Sequence, residues 1–161
     1  ETIIGGRGFT IGDGGSGSHI GLDALRATMR AFDRIGQASA ITADIIAHFD
    51  NDSVAMMRWA RHATPGDFGA FAPGVFARAA EGDRIACDIA VRAARAISAL
   101  TRGVVALGAE RVALVGGAGE ALRPYLESEI AALLSAPLHD ATDGAILLVG
   151  GAIASQREAA Q

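Results

Sequence analysis

Leu22, Leu25, Met29, Phe32 and Ile35 recur at three- and four-residue steps, while Asp23, Arg26, Arg30 and Asp33 take the positions between them. Such spacing predicts an amphipathic helix from Ser18 to a stop at Gly36. Ala40 to Phe49 and Ser53 to His62 continue the pattern as two short helices, the second capped by Asp52-Ser53. Pro65-Gly66-Asp67 resets the chain before Phe68, Phe71, Val75 and Phe76. Gly82-Asp83 then joins a helix-ending glycine to the N-cap of the next helix. That helix, Arg84 to Leu107, carries Ile85, Ile89, Ala93, Ala96, Leu100, Val104 and Leu107 on one face, and its alanine-rich flanks predict close burial between neighbours.

The ends of the sequence read differently. Ile3-Ile4 and Phe9-Thr10-Ile11 are short apolar pieces separated by Gly5-Gly6-Arg7-Gly8, which predicts two short strands or one bent strand. Arg111 to Val115 is a β-branched and aliphatic run stopping at Gly116-Gly117, after which Leu122, Leu126, Ile130 and Leu133 resume helical spacing. Strand, glycine turn and helix are expected there, with Pro124 placing the helix start near Arg123. Asp143 is positioned to cap a last helix running to about Ser155, and Gln156 to Gln161 is expected to fray. No internal repeat or low-complexity tract interrupts the chain.

Composition narrows the class. A length of 161 residues suits one domain or one half of a two-lobed enzyme. Half of the residues are hydrophobic, drawn from alanine and aliphatic types rather than aromatics, which favours packed helices over an all-β sandwich. A formal net charge of -4 lacks the basic field that nucleic acid or an anionic membrane requires, so neither is an expected partner. Glycine is abundant but clusters at Gly5 to Gly17, Gly116 to Gly119 and Gly150 to Gly151, as turns between ordered segments. Cys87 stands alone, which rules out an intrachain disulfide framework. No signal pattern opens the sequence, and its most apolar stretch, Ala145 to Ala154, is shorter than the ~20 residues needed to span a bilayer. A soluble cytoplasmic protein is expected.

The run from Gly5 to Gly17 is the most informative in the chain. Its glycines let backbone approach a ligand closely, and Asp13 offers an acceptor-only carboxylate suited to paired sugar hydroxyls. On the residues alone, an Asp tying a local turn is the favoured reading. The run lacks the Lys-Ser/Thr ending of a phosphate-binding loop and does not sit in the βαβ context of a dinucleotide fingerprint. Val112-Ala113-Leu114-Val115-Gly116-Gly117-Ala118-Gly119 is a second glycine turn at a strand end, where α/β sheets place ligands, although a plain tight turn accounts for it equally well. His19, His48, His62 and His139 show no metal-ligand spacing, so no metal site is assigned. Met56, Met57 and Trp59 are expected to fill the core, Cys87 to pack as a small apolar group, and Asp44, Asp50 and Asp52 to be solvated or capping charges.

Taken whole, Gly5-Gly6-Arg7-Gly8-Phe9-Thr10-Ile11-Gly12-Asp13-Gly14-Gly15-Ser16-Gly17 resembles the signature Gly-Gly-Trp-Gly-Phe, apolar pair, Gly-Asp-Glu-Gly-Ser-Gly of N-acetylglucosamine and glucosamine kinases in the BadF/BadG/BcrA/BcrD ATPase family. The run from Val112 to Gly119 resembles the adenosine motif of actin-like kinases. Phe71-Ala72-Pro73 to Ala79-Ala80-Glu81-Gly82-Asp83 and Asp143 to Leu148 resemble the segments before the family's long helix and at its closing helix.

The resemblance implies an α/β fold, the helix-rich C-terminal lobe of a ribonuclease-H-like, actin-like ATPase, with residues 1 to 161 as that lobe and the N-terminal lobe absent. It implies sugar contacts at Gly5, Gly6, Arg7, Gly8 and Asp13, and nucleotide contacts at Gly116, Gly117, Ala118 and Ala79. ATP and Mg2+ are the cofactors implied for the complete enzyme. The partners are an amino sugar, ATP, the N-terminal lobe and, as an open option, a second copy in a homodimer. Arg7 stands where the family usually has Trp and Gly14 where it commonly has Glu or Gln, which leaves the sugar unassigned.

The family's Asp-Gly-Gly-Gly-Thr loop, catalytic base Asp and Gly-Thr-Gly-Ser loop are not in this sequence, so no catalytic residue is assigned and the chain by itself is expected to be inactive. The alternatives are a lobe that binds a ligand or partner without turnover, or an ATPase activator of a redox enzyme. The single cysteine disfavours the activator, because an iron–sulfur cluster needs several cysteine ligands.

Overall fold

The computed structural model describes residues 2 to 149. Helices follow one another in the order α1 Gly17–Phe32, α2 Ala40–His48, α3 Ser53–Ala60, α4 Pro65–Gly69, α5 Ala72–Ala80, α6 Arg84–Ala106, α7 Gly117–Leu122, a 3-10 turn Arg123–Tyr125, α8 Ser128–Ala131 and α9 Ala141–Leu148. None of these helices is long and apolar enough to cross a membrane.

Most helix starts carry a side-chain cap, which fixes their boundaries. Ser16 accepts from the His19 N–H at 3.2 Å, and Asp52 accepts from Val54 and Ala55 at 2.8 and 3.1 Å. Thr64 and Asp67 form a reciprocal capping box, with Pro65 at the first helical position where its missing N–H costs nothing. Asp83 caps α6 through the Ala86 N–H at 3.0 Å, immediately after Gly82 turns the chain at φ 87°.

Helix α1 is the hub, packing on α2, α4, α5 and α6. Its tightest crossing is at Gly21, where an added Cβ would lie 1.8 Å from the backbone oxygen of Phe68, so only glycine admits α4 at this distance. Around the crossing, Phe68 stacks on Phe9 at 5.2 Å and meets the edge of Trp59 at 5.3 Å. Trp59 continues to Phe49 and Phe71, so one aromatic cluster joins the glycine-rich opening segment to α2, α3, α4 and the start of α5.

Several expectations need correction. The predicted strands at Ile3-Ile4 and Phe9 to Ile11 are absent, and the Phe9–Ile11 segment is a turn closed onto the Gly8 carbonyl. The Arg111 to Val115 strand is reduced to one parallel bridge between Val112 and Leu134, the only β-bridge among the described residues. Apolar runs become strands only when a neighbour takes their backbone hydrogen bonds, and beyond that one bridge no such neighbour lies within 2 to 149. The α/β expectation is therefore met on its helical side alone.

Helix α1 ends at Phe32 rather than at Gly36, with Arg34 taking the left-handed position at φ 59°. The helix expected from near Arg123 starts at Gly117 and is broken at Pro124 into a 3-10 turn. Asp140, not Asp143, caps α9. The reading of that helix to Ser155, and of a frayed Gln156 to Gln161, lies outside the described residues.

Two expectations about burial also shift. On α6 the deepest stripe is Ala86, Ile89, Ala90, Ala93 and Ala94, continued by Ser98 and Thr101, while Leu107 is exposed. Small side chains let α1 and α5 approach most closely, so alanine rather than the largest residues sets the buried line, and the Ser98 hydroxyl is satisfied by the Ala94 carbonyl at 2.9 Å. Met56 is buried and Trp59 joins the aromatic cluster, but Met57 is half-exposed. Asp44 is no lone solvated charge; it holds Arg78 in a two-pronged pair at 2.6 and 3.0 Å.

Candidate functional site

The Gly5 to Gly17 run forms an irregular loop leading into the N-terminus of α1. The Gly8 carbonyl accepts from the N–H groups of Ile11 at 3.1 Å and Gly12 at 2.9 Å, and the Arg7 N–H reaches the Gly12 carbonyl at 3.4 Å. Gly8 sits at φ 88°, a conformation that a side chain disfavours, and no atom lies within 4 Å of the Cβ position at Gly6 or Gly8. Those two glycines therefore present open backbone. Gly5 differs, because a Cβ there would press into Leu100 of α6 at 2.7 Å. Arg7 is exposed, and among the described residues its guanidinium reaches only the Ile3 carbonyl, at 3.5 Å.

Asp13 is half-buried at the end of this turn. Its main-chain carbonyl accepts from the Ser16 N–H at 3.0 Å, while its carboxylate takes no hydrogen bond from any described residue. The turn is thus closed by backbone, and the side chain is left over as an acceptor.

His19 holds the loop from the side. Its Nε2 lies 2.6 Å from the Phe9 carbonyl, which only accepts, so Nε2 carries the proton and donates. The ring also meets Phe9 edge-on at 5.3 Å. Phe9 is therefore fixed by its carbonyl to α1 and by its ring to α4. Sequence spacing gave no sign of this, because partners ten residues apart across an irregular loop follow no period.

The second glycine turn closes on the same region. The Val112 carbonyl accepts from the Ser135 N–H at 2.8 Å, which ties the incoming segment to the chain after α8. Gly116, at φ 87°, then turns the backbone into α7. Gly117 and Ala118 line an open cleft of about 400 Å³ together with Gly17, Gly69, Pro73 and Phe76. Nothing lies within 4 Å of the Gly117 Cβ position. Gly17 ends the first motif and Gly117 begins the helix of the second, so two runs one hundred positions apart share one cavity.

Ala79 does not belong to this group. It faces the core with Ala72 and Val75, and its carbonyl accepts from the Gly82 N–H and the Cys87 thiol. On α5 the cleft is lined by Ala72, Pro73 and Phe76 from the first turns of the helix, and Ala79, near its C-terminal end, is not among the lining residues. Ala79 is therefore not brought to this cleft beside Gly117 and Ala118.

No charged side chain lines the cleft among the described residues, and the charges at the end of α5 are structural. Arg78 is held by Asp44 and Glu81, whose hydrogen bonds raise its pKa above the ordinary arginine value. Asp83 feels burial, which acts to raise its pKa, but donors from Ala86, Ile41 and Ser39 outweigh it and hold the carboxyl below the usual value. No group of three or more His, Cys, Asp or Glu side chains able to hold a metal ion occurs among the described residues. The open backbone at Gly117 suits the ring of a nucleotide, whereas Mg2+ would need carboxylates and phosphate oxygens from elsewhere.

Comparison with known proteins places the chain in a family. The sequence profile of the BadF/BadG/BcrA/BcrD ATPase family matches residues 1 to 149. The glucosamine kinase GspK of Vibrio cholerae serotype O1 is 30% identical over 150 residues, spanning 93% of this chain and 51% of GspK. A Chromobacterium violaceum crystal structure, provisionally described as an N-acetylglucosamine kinase, superposes with a TM-score of 0.83 at 35% identity, covering 90% of this chain and 50% of that one. The chain thus spans about half the length of the relatives it matches.

Proposed function

The chain belongs to the BadF/BadG/BcrA/BcrD ATPase family, and from that membership we propose that it is the C-terminal, actin-like lobe of an ATP-dependent kinase for an amino sugar. The reading rests on one observation: Gly17, the last residue of the run that bears the unpartnered Asp13 carboxylate, lines the same cleft as Gly117 and Ala118, while Asp13 itself lies outside that lining. In this reading the residues of this chain bind and orient. Asp13 accepts from two sugar hydroxyls, the open backbone at Gly6 and Gly8 lets the ring lie close, and Arg7 stands at the rim. Gly116, Gly117 and Ala118 form the wall against adenosine.

Phosphoryl transfer needs a base for the attacking hydroxyl and donors and Mg2+ for the transferring group. Those roles fall to an N-terminal lobe, with which this chain would close around sugar and ATP. What the chain adds to the rate is placement, since a fixed sugar turns a bimolecular encounter into an intramolecular one.

Asp13→Asn in the complete enzyme tests the assignment. Charge-assisted hydrogen bonds are worth roughly 1.5 to 3 kcal/mol, so sugar phosphorylation should fall about tenfold or more. Binding of ADP and the melting temperature should stay close to wild type, because no described residue uses this carboxylate for folding. Near-normal sugar kinetics with a lowered melting temperature would sink the assignment.

A further inference from the structure

A second cavity lies on the seam between α1 and α6, away from the cleft at Gly117. It has a volume of about 220 Å³ and gathers Arg26 and Arg30 from α1, Arg92 from α6, and the two carboxylates Asp23 and Asp88. Three guanidiniums against two carboxylates leave this patch locally positive in a chain whose formal net charge is -4.

The three guanidiniums are exposed and keep most of their donors free of protein partners among the described residues. Arg26 and Arg92 share Asp23 at 3.3 and 3.5 Å, and Arg30 reaches only the Ile35 carbonyl at 3.4 Å. Each is at the long limit of a hydrogen bond, and a guanidinium carries five donors. Three guanidiniums exceed the charge of Asp23 and Asp88 by one, so a further anion at the seam would meet net attraction. Asp23 and Arg92 also line a smaller adjoining cavity of about 120 Å³ that reaches Gly14, Gly15 and His19. The seam therefore runs from the arginines to the back of the Asp13 loop.

We propose that the Arg26, Arg30 and Arg92 cluster is a binding site for a small phosphate-bearing ligand. The phosphate oxygens lie in the guanidinium forks, which match such an anion in two-pronged geometry. The body of a phosphate ester would extend along the seam toward Gly14 and Gly15, and free phosphate would occupy the arginine end alone. The site is separate from the cleft at Gly117 and does not depend on the kinase reading.

Calorimetric titration at low ionic strength with inorganic phosphate and with glycerol phosphate tests this. Arg92→Gln and Arg30→Gln should each weaken binding about fivefold to tenfold, and Arg58→Gln, an equal charge change on exposed α3, should leave it unchanged. Tighter binding of glycerol phosphate identifies the ester as the natural ligand class, and equal binding identifies free phosphate. If Arg92→Gln unsettles the fold by freeing Asp23, Arg26→Gln reads the same site. No saturable binding of either probe, or equal weakening by Arg58→Gln, overturns the proposal.

Discussion

Replacing Asp83 removes support from two helices at once. One carboxylate oxygen accepts from the Ala86 N–H at 3.0 Å as the cap of α6, and the other accepts from the Ile41 N–H at 3.0 Å in the first turn of α2. Loss of an N-cap costs about 1 kcal/mol. The bond to Ile41 joins a charge to a backbone donor, worth about 1.5 kcal/mol at the low end appropriate to a half-buried site. Asp83→Ala should therefore destabilise by about 2.5 kcal/mol, a fall in melting temperature of roughly 5 to 10 °C for a chain of this size. Asp83→Asn keeps one acceptor and should lose about half as much.

The pH dependence gives a second reading of the same contact. The folded carboxyl titrates below its unfolded value, so its contribution is complete above the unfolded pKa of about 3.9 and disappears as pH falls through the folded one. The gap between wild type and Asp83→Ala, measured by urea unfolding, should be constant from pH 7 to about 5 and close below 4. Equal stability of wild type and Asp83→Ala at pH 7, or a gap that persists unchanged at low pH, would refute the two-helix role.

Gly21→Ala should cost about 3 kcal/mol or more, since its Cβ would meet backbone rather than a movable side chain, and chemical denaturation of the purified variant checks this. Gly117→Val in the complete enzyme should raise the ATP requirement more than the sugar requirement; equal effects in a folded variant count against an adenosine-side role. His19→Phe keeps an aromatic contact with Phe9 but loses the donor to its carbonyl, so the sugar KM should rise while ADP binding is unchanged. The chain alone should show no ADP release with ATP and glucosamine, and turnover that survives repurification would contradict the assignment of transfer chemistry to another lobe.

The helices were legible because their evidence is local. The steps from Leu22 to Phe32, the Gly82-Asp83 junction and the cap at Asp52 all declare themselves within a few positions. The strands were misread for the opposite reason: Ile3-Ile4 and Arg111 to Val115 have strand composition, but a strand is a property of a pair. Of the positions the resemblance picked out, Gly117 and Ala118 line a cavity and Ala79 faces the core, because a motif aligns residues without fixing which side of α5 they occupy. The bonds from Asp83 to Ile41 and from His19 to Phe9 join distant or irregular segments and leave no periodic trace.

Phe68 touches both the glycine loop and the hub helix. Its ring carries Phe9 of the glycine loop, and its carbonyl rests on α1 at Gly21. The loop is consequently not an independent flap: freeing Phe9 means withdrawing the ring that α4 holds against the hub helix. Amide protons of Ile11 and Gly12 should then exchange with solvent in step with those of α4 rather than at the rate of an exposed turn, as members of one cooperative opening unit. The loop's readiness for a ligand is thereby set by how firmly a five-residue helix is seated, and mutations at that seat alter it without touching a ligand contact.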